Sequence, residues 1–465
     1  MSSLAGGTDS ARPYGPEEHK QARRDLGLAK VEDILAMGYR NNDPFFMGTE
    51  SHWRDARWFA GLWQQFGFGR GTHLRRVHYV VSQSGGLDVD GSPYRNEAGA
   101  WHRLSEASKR ARYLGLVDPE DFTDRRNSGV QQHVFPRQQA EPRAEITRSG
   151  GVWVPYVPDP PLLDDDDRAH AMYPAAEVSG YETGRADQPV LLELWVEKSA
   201  VNDVLEPVCA DLGLNLKVAM GYESITSAVE LLRRAEAVGK PVHVFYVSDL
   251  DRAGEGMPVA VARQCEFWAP KLNVGVPVSL ERLALTTSQV ARYALPQAPD
   301  SGDTELDALE ALHPGELARI VRAAVRPWRD DSLYSRMSAA RREAAALVDE
   351  RLREATRGLY DEVPSISDDA AAVLRRAREQ LGPLAEQWEQ IAAAADEELA
   401  EIRRRGQAVA DRVRHAVAEV ELDLPPRPEA EPPDVDRSGL LYDSGRDWVE
   451  QVAHYQAARR RGGAP

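Results

Sequence analysis

Residues 190–198, VLLELWVEK, and residues 242–256, VHVFYVSDLDRAGEG, decide the fold. Each is a continuous apolar run that ends in carboxylates. Such runs fit strands buried on both faces, because the strands of a parallel sheet are covered by helices on either side. Helical patterns lie around them: Ala200–Leu212 with Gly213 as a stop, Thr226–Val238 ending at Gly239, and Glu255–Trp268. LNLKVAM (214–220) and VPVSLERLAL (276–285) supply two further strands. Strands alternating with helices of about 10–15 residues predict βαβ units, hence an α/β fold with a Rossmann-like parallel sheet.

That topology has a chemical consequence. In an open parallel sheet, ligands gather in the crevice outside the carboxyl ends of the strands. Glu197 closes the first strand and Asp249 and Asp251 follow the third, so acids far apart in sequence are predicted at one edge. Two aspartates separated by one residue in a turn can face one cation. The oxygen-rich set selects a hard divalent ion, Mg²⁺, with Mn²⁺ as an alternative. Gly254 and Gly256 allow close backbone approach where the next helix starts. The plainer reading is a solvated loop with a helix N-cap. Placement on two appropriate strands favours the metal, since three converging carboxylates repel unless a cation or strong donors stand among them. Lys198 is one such donor.

The rest of the composition bounds the class. With 465 residues and 42% apolar content the chain can bury two or more cores. No apolar run is long enough to span a bilayer, and MSSLAGGTDSARPYGPEEHK lacks the apolar core of a signal peptide, so a cytoplasmic protein without a membrane partner is expected. Cys209 and Cys265 are the only cysteines, with no metal-ligand spacing beside them, and read as small buried apolar residues. The net charge of −17 argues against indiscriminate nucleic-acid binding. Charge is segregated, however. Acids crowd Leu162–Asp187 and the C-terminal third, while Arg70–Arg112 is locally basic and compatible with a phosphate-backbone partner.

Outward from the sheet, Glu17–Met37 is a polar helix followed by a loop, Gly38–Phe45. Helical patterns then cover Glu50–Phe66, Thr72–Ser82 and Ala98–Leu116, with the turn-rich SGGLDVDGSPYRN (84–96) between the last two. Three short helices and a hairpin predict a winged-helix-like module. The expected domains are 1–44, an N-terminal helical extension; 45–150, the winged-helix-like α+β domain; 151–188, a linker; 189–325, the parallel-sheet domain with its extension; 326–422, a long helical or coiled-coil region broken near Pro364 and Pro383; and 423–465, a proline-rich linker and loosely docked tail.

THLRRVHYVVSQ (72–83) offers a second site. On a helix Leu74, Val77, His78 and Val81 form the core stripe, whereas Arg75, Tyr79 and Ser82 cluster on a neighbouring face. Tyr79 is thus either a structural ring or a nucleophile. A phenol with a pKa near 10 needs its oxyanion stabilised to attack at neutral pH, and Arg75, one turn earlier, could hold the target phosphate.

WVEKS (195–199), GYESIT (221–226) and VFYVSDLDRAGEGM (244–257) together resemble the TOPRIM domain of topoisomerases, some nucleases and bacterial primases. LTTSQVARYALPQAP (285–299) and TELDALEAL (304–312) resemble a region downstream of TOPRIM in phage- and plasmid-borne relatives of the topoisomerase VI A subunit. LRRVHY resembles the L-R-x-x-Y-Y signature of that subunit and of its relatives that make meiotic double-strand breaks, with His78 in place of the first aromatic. WHRLSEASKRARYLGLV (101–117) and FTDRRN (122–127) resemble the rest of its DNA-binding module. The likeness spans about residues 45–320 and is strongest at 190–257. One departure is Arg252-Ala253 where the A subunit usually has Pro soon after the second aspartate.

The resemblance implies Tyr79 as the DNA-linking nucleophile with Arg75 and Glu197 beside it in catalysis, and Mg²⁺ on Glu197, Asp249 and Asp251. It also implies a homodimer in which the tyrosine of one protomer works with the metal site of the other. Arg75, Arg76, Arg110 and Arg112 are the DNA-binding candidates. No Walker motif is present, so strand passage would require a separate ATPase subunit. Two other functions stay open: a TOPRIM nuclease using water in place of Tyr79, and a non-catalytic DNA-binding or assembly protein. Primase activity ranks low because no zinc-ligand module precedes the sheet.

Overall fold

The computed structural model describes residues 12–36, 43–124, 129–157, 168–218, 225–381 and 387–461. In chain order the helices are α1 (Pro16–Asp25), α2 (Glu50–Gln65), α3 (Leu74–Gln83), α4 (Ala98–Tyr113), α5 (Asn202–Leu212), α6 (Ile225–Val238), α7 (Arg252–Lys271), α8 (Thr287–Tyr293), α9 (Leu306–Leu312), α10 (Glu316–Val325), α11 (Leu333–Ala355), α12 (Val363–Leu381), α13 (Trp388–Ala418) and α14 (Trp448–Arg461). The strands are β1 (Arg143–Arg148), β2 (Gly151–Trp153), β3 (His170–Met172), β4 (Ala175–Ser179), β5 (Leu191–Val196), β6 (Asn215–Val218), β7 (Val242–Val247), β8 (Val278–Ala284) and β9 (Tyr442–Asp443). The chain divides into two compact units, one within 1–137, 185–330 and 430–465, the other within 138–184 and 331–429. Among the described residues no helix is long and apolar enough to cross a membrane.

The first unit holds a five-stranded sheet in the order β6-β5-β7-β8-β9, parallel except for β9. All six residues of β5 and of β7 are buried. Leu191, Trp195, Val244 and Tyr246 pack on one face against α6 and α7, while Leu192, Leu194, Phe245 and Val247 pack on the other against α5 and α10. The alternation of side chains along a strand therefore feeds two cores at once. Cys209 and Cys265 are buried, one in each of those cores.

The helices α2, α3 and α4 form their own core around Phe59, Trp63, Val77, Val81 and Leu104. This module is fastened to the sheet through Tyr113, whose ring stacks on Trp268 at 5.9 Å and whose carbonyl accepts from Lys271 Nζ at 3.0 Å. A strap follows it: Gln131 and Leu216 exchange both backbone hydrogen bonds at 2.9 Å, which covers the open edge of β6.

Four expectations are corrected. The first helix ends at Asp25 rather than at Met37, which lies outside the described residues; Gly27 at φ +63° turns the chain out. The stretch expected as a linker is structured: β1 pairs antiparallel with β4, and β2 with β3, and these ladders pack with α11, α12 and α13 in the second unit. Pairing partners separated by long stretches of chain, from Trp153 with His170 to Arg143 with Ser179, leave no local periodicity to read. The tail is not loosely docked. β9 adds to β8, and α14 packs on α7 with Tyr442 and Tyr455 buried in the apolar cluster that holds Phe267 and Trp268. Pro364 sits in the first turn of α12, where a missing N–H costs nothing, so it starts that helix instead of breaking one; Pro383 lies outside the described residues.

Candidate active site: an acidic strand edge and a separate tyrosine pocket

β5 and β7 are parallel neighbours with Val196 opposite Val247. The chain leaves β5 for β6 through α5 on one face and comes back to β7 through α6 on the other. Such a reversal opens a crevice at the carboxyl edge, the usual ligand position in doubly wound sheets. Glu197 and Asp249 stand there. Glu197 N–H donates to Val247 O at 2.9 Å, and Asp249 N–H donates to Glu197 Oε2 at 3.1 Å. Burial, joined by the like charges of Asp249 and Asp251, pushes the Glu197 carboxyl above its ordinary range, against the opposing hydrogen bond from Asp249.

Asp251 caps α7, its Oδ1 accepting from Gly254 N–H at 2.6 Å. The plainer reading of this aspartate as an N-cap therefore holds, alongside its place at the edge. A Cβ on Gly254 would lie 2.3 Å from Asp249 O, so the helix start can approach the strand end only with glycine there. Ser248 Oγ donates to Gly254 O at 2.8 Å and closes the turn.

Asp249 is 4% exposed and fully engaged. Its Oδ1 accepts from Leu306 N–H at 2.7 Å, and its Oδ2 meets Lys198 Nζ at 2.7 Å. Lys198 also pairs with Glu305. Burial opposes the lysine's charge, but hydrogen bonds to Asp249 and Glu305 outweigh it and raise its pKa. Leu250 and Thr304 exchange backbone hydrogen bonds at 2.9 and 3.0 Å, which seats residues 304–306 on the acidic turn. Glu305 is the residue that sequence reasoning missed, since nothing local distinguishes it from other surface glutamates.

The edge is rich in carboxylate oxygens, the donor type that hard divalent ions select. Glu197 Oε1 and Asp251 Oδ2 have no hydrogen-bond partner among the described residues. Yet the carboxylates are not gathered into a ready ligand cage: among the described residues no group of three His, Cys, Asp or Glu is close enough to hold a metal. The Lys198 ammonium provides the compensating charge instead. GYESIT lies largely outside the described residues, with Ile225 and Thr226 opening α6.

The tyrosine helix forms as expected, starting at Leu74 with His73 as its N-cap. Val77, His78 and Val81 are buried, and His78 bridges Tyr94 Oη at 2.7 Å and Asn96 Oδ1 at 2.9 Å, joining α3 to the 84–96 turn. Tyr79 is 50% exposed. It lines a pocket of about 440 Å³ with Gly71, His73, Arg76 and Val80. Among the described residues no hydrogen bond, ion pair or ring contact joins Tyr79 to Glu197, Asp249 or Asp251.

The four arginine candidates separate. Arg75 and Arg76 are exposed. Arg110 is tied to Asp55 and lies 3.8 Å from Glu106, which neutralises it. Arg112 is a correction: it is 8% exposed, its guanidinium sits 4.4 Å from the Phe122 ring centroid, and burial pushes its pKa down to about 10. It shares the inner face of α4 with Leu104, Ser108 and Ala111, so helical geometry takes it from solvent.

No family model matches the chain, and no curated protein matches it.

Proposed function

We propose that the protein binds and cleaves DNA as a TOPRIM-type transesterase similar to the topoisomerase VI A subunit, with α2–α4 as its winged-helix-like module and the parallel sheet as its TOPRIM domain. The observation that carries this reading is the contact of Asp249 N–H with Glu197 Oε2 at 3.1 Å, which places carboxylates from two strands at one switch-point edge. Half-exposed Tyr79 in a pocket beside Arg76 supports it.

In the reaction Tyr79 Oη gives up its proton and bonds to a backbone phosphorus. One phosphorus–sugar oxygen bond breaks, the freed sugar hydroxyl takes up a proton, and the phosphotyrosyl ester keeps the strand attached. Glu197, Asp249 and Asp251 would hold Mg²⁺ or Mn²⁺ once drawn together, and the ion would supply charge stabilisation at the phosphate oxygens. Its binding needs Lys198 to release Asp249. Since no contact among the described residues joins Tyr79 to the acidic edge, the proposal includes a homodimer in which the tyrosine of one protomer meets the edge of its partner, with a separate ATPase subunit for strand passage.

The same separation favours a second reading, a nuclease that uses the acidic edge with water. Incubation with supercoiled plasmid and Mg²⁺ or Mn²⁺, with and without protease, distinguishes them. Protein-linked breaks that vanish in Tyr79→Phe are expected. Free breaks that persist in Tyr79→Phe and vanish in Glu197→Ala select the nuclease. An inert protein whose DNA binding survives Asp249→Ala with Asp251→Ala leaves an assembly role.

A further inference from the structure

Arg75, the arginine one turn before Tyr79, is absent from the pocket that holds the tyrosine. Its guanidinium lies over the Trp101 ring at 4.4 Å from the centroid, a cation–π contact that ties α3 to α4. We propose that His73 and Arg76, rather than Arg75, hold the phosphate that Tyr79 faces. The proposal rests on the reading of Tyr79 as a residue that acts on DNA, and it names the phosphodiester contacts of that site.

Placement is the first support. His73, Arg76 and Tyr79 follow one another at intervals of three and Val80 lies four after Arg76, so they share one face at the start of α3 and line one concavity. The second is the state of the imidazole. His73 Nδ1 accepts from Arg75 N–H at 3.2 Å as the helix cap. An accepting Nδ1 leaves the proton of the neutral ring on Nε2, so the other edge of the ring is a donor. A donor, a planar guanidinium and a phenol around one pocket match a phosphodiester oxygen set. The third is local charge. Residues 56–87 contain no Asp or Glu, in a chain with 74 such residues among 465. An anion approaching α3 therefore meets no carboxylate from this stretch, against the repulsion expected from a net charge of −17.

The test is binding of a fluorescently labelled DNA duplex to the full chain across a salt series, followed by anisotropy. Arg76→Ala should weaken binding about tenfold and lower the slope of log affinity against log salt by about one, the signature of a lost phosphate contact. Arg76→Lys, which keeps the charge, should restore the slope. His73→Asn keeps a capping side chain, so α3 should persist by circular dichroism while affinity falls several-fold. Arg75→Ala should leave the slope unchanged and lower the melting temperature. A slope that drops in Arg75→Ala and not in Arg76→Ala overturns the proposal, as does an Arg76→Ala protein that binds like wild type. A wild-type protein that binds no duplex at all removes the DNA reading of Tyr79 itself, a result distinct from either.

Discussion

Asp249 shows how one buried carboxylate is made tolerable. It lies in a turn where Glu197 and Asp251 repel it, and the charge is balanced by Lys198 and by the Leu306 amide. One ammonium thus supplies the positive charge that the proposed divalent ion would bring. Lys198→Met should destabilise the protein by about 1–3 kcal/mol, because Asp249 is left buried without its cation. Mg²⁺ or Mn²⁺ should then raise the melting temperature of the variant more than that of wild type. At a hundredfold excess over its dissociation constant a bound ion adds about 2.7 kcal/mol. Equal melting temperatures with and without metal in both proteins would sink the metal assignment. The acids themselves were legible in sequence, since the end of an apolar strand marks the sheet edge. Glu305 was not, because its role depends on how residues 304–306 fold back across the turn.

At the scale of elements, the C-terminal segment matters most to the sheet. β9 covers the edge of β8, and Tyr442, Trp448, Val452 and Tyr455 are buried with it. Tyr455 Oη also reaches Glu266 Oε2 at 3.2 Å, beside Arg263, which pairs with Asp43 at 3.2 Å and with Glu266 at 2.7 Å. Burying a large apolar side chain contributes about 1.5–3 kcal/mol, so four of them rival the roughly 5–15 kcal/mol stability of a typical domain. A chain truncated after Glu429 should be insoluble or rapidly degraded by protease, with an exposed strand edge as the aggregation site. Soluble truncated protein with the melting temperature of the full chain would contradict this account. Helices α2, α3, α4, α5 and α7 were legible from periodicity and stop residues. The ladders β1–β4 and β2–β3 were not, because antiparallel partners separated by acidic and proline-rich sequence carry no shared local pattern.

At the scale of the molecule, several histidines of the first unit are buried neutral. His243 stacks on Trp328 at 3.7 Å and bonds Ser279 Oγ at 2.8 Å, and burial lowers its pKa; burial also lowers those of His19 and His52. A histidine whose folded pKa lies below its unfolded value of about 6.5 leaves the folded state with fewer bound protons than the unfolded chain. That stability is present above pH ~6.5 and is lost as pH falls through the folded pKa values. Glu197 and Asp121, both shifted upward mainly by burial, act in the opposite sense, but they are two groups against three. The urea midpoint should therefore be flat from about pH 8 to 7 and fall between about pH 6.5 and 5. A midpoint that stays constant or rises over that acidic window would refute this.

The sequence by itself determined the parallel α/β sheet, its strand ends and the tyrosine-bearing helix, because burial on two faces and helical periodicity are written in adjacent residues. Only the tertiary structure decided which side chains meet. It withdrew Arg112 into a core and parked Arg75 on Trp101. It also clamped Lys198 between Asp249 and Glu305, and turned the expected linker and tail into paired strands. Each of these depends on contacts between residues distant in the chain, whose geometry no local spacing encodes.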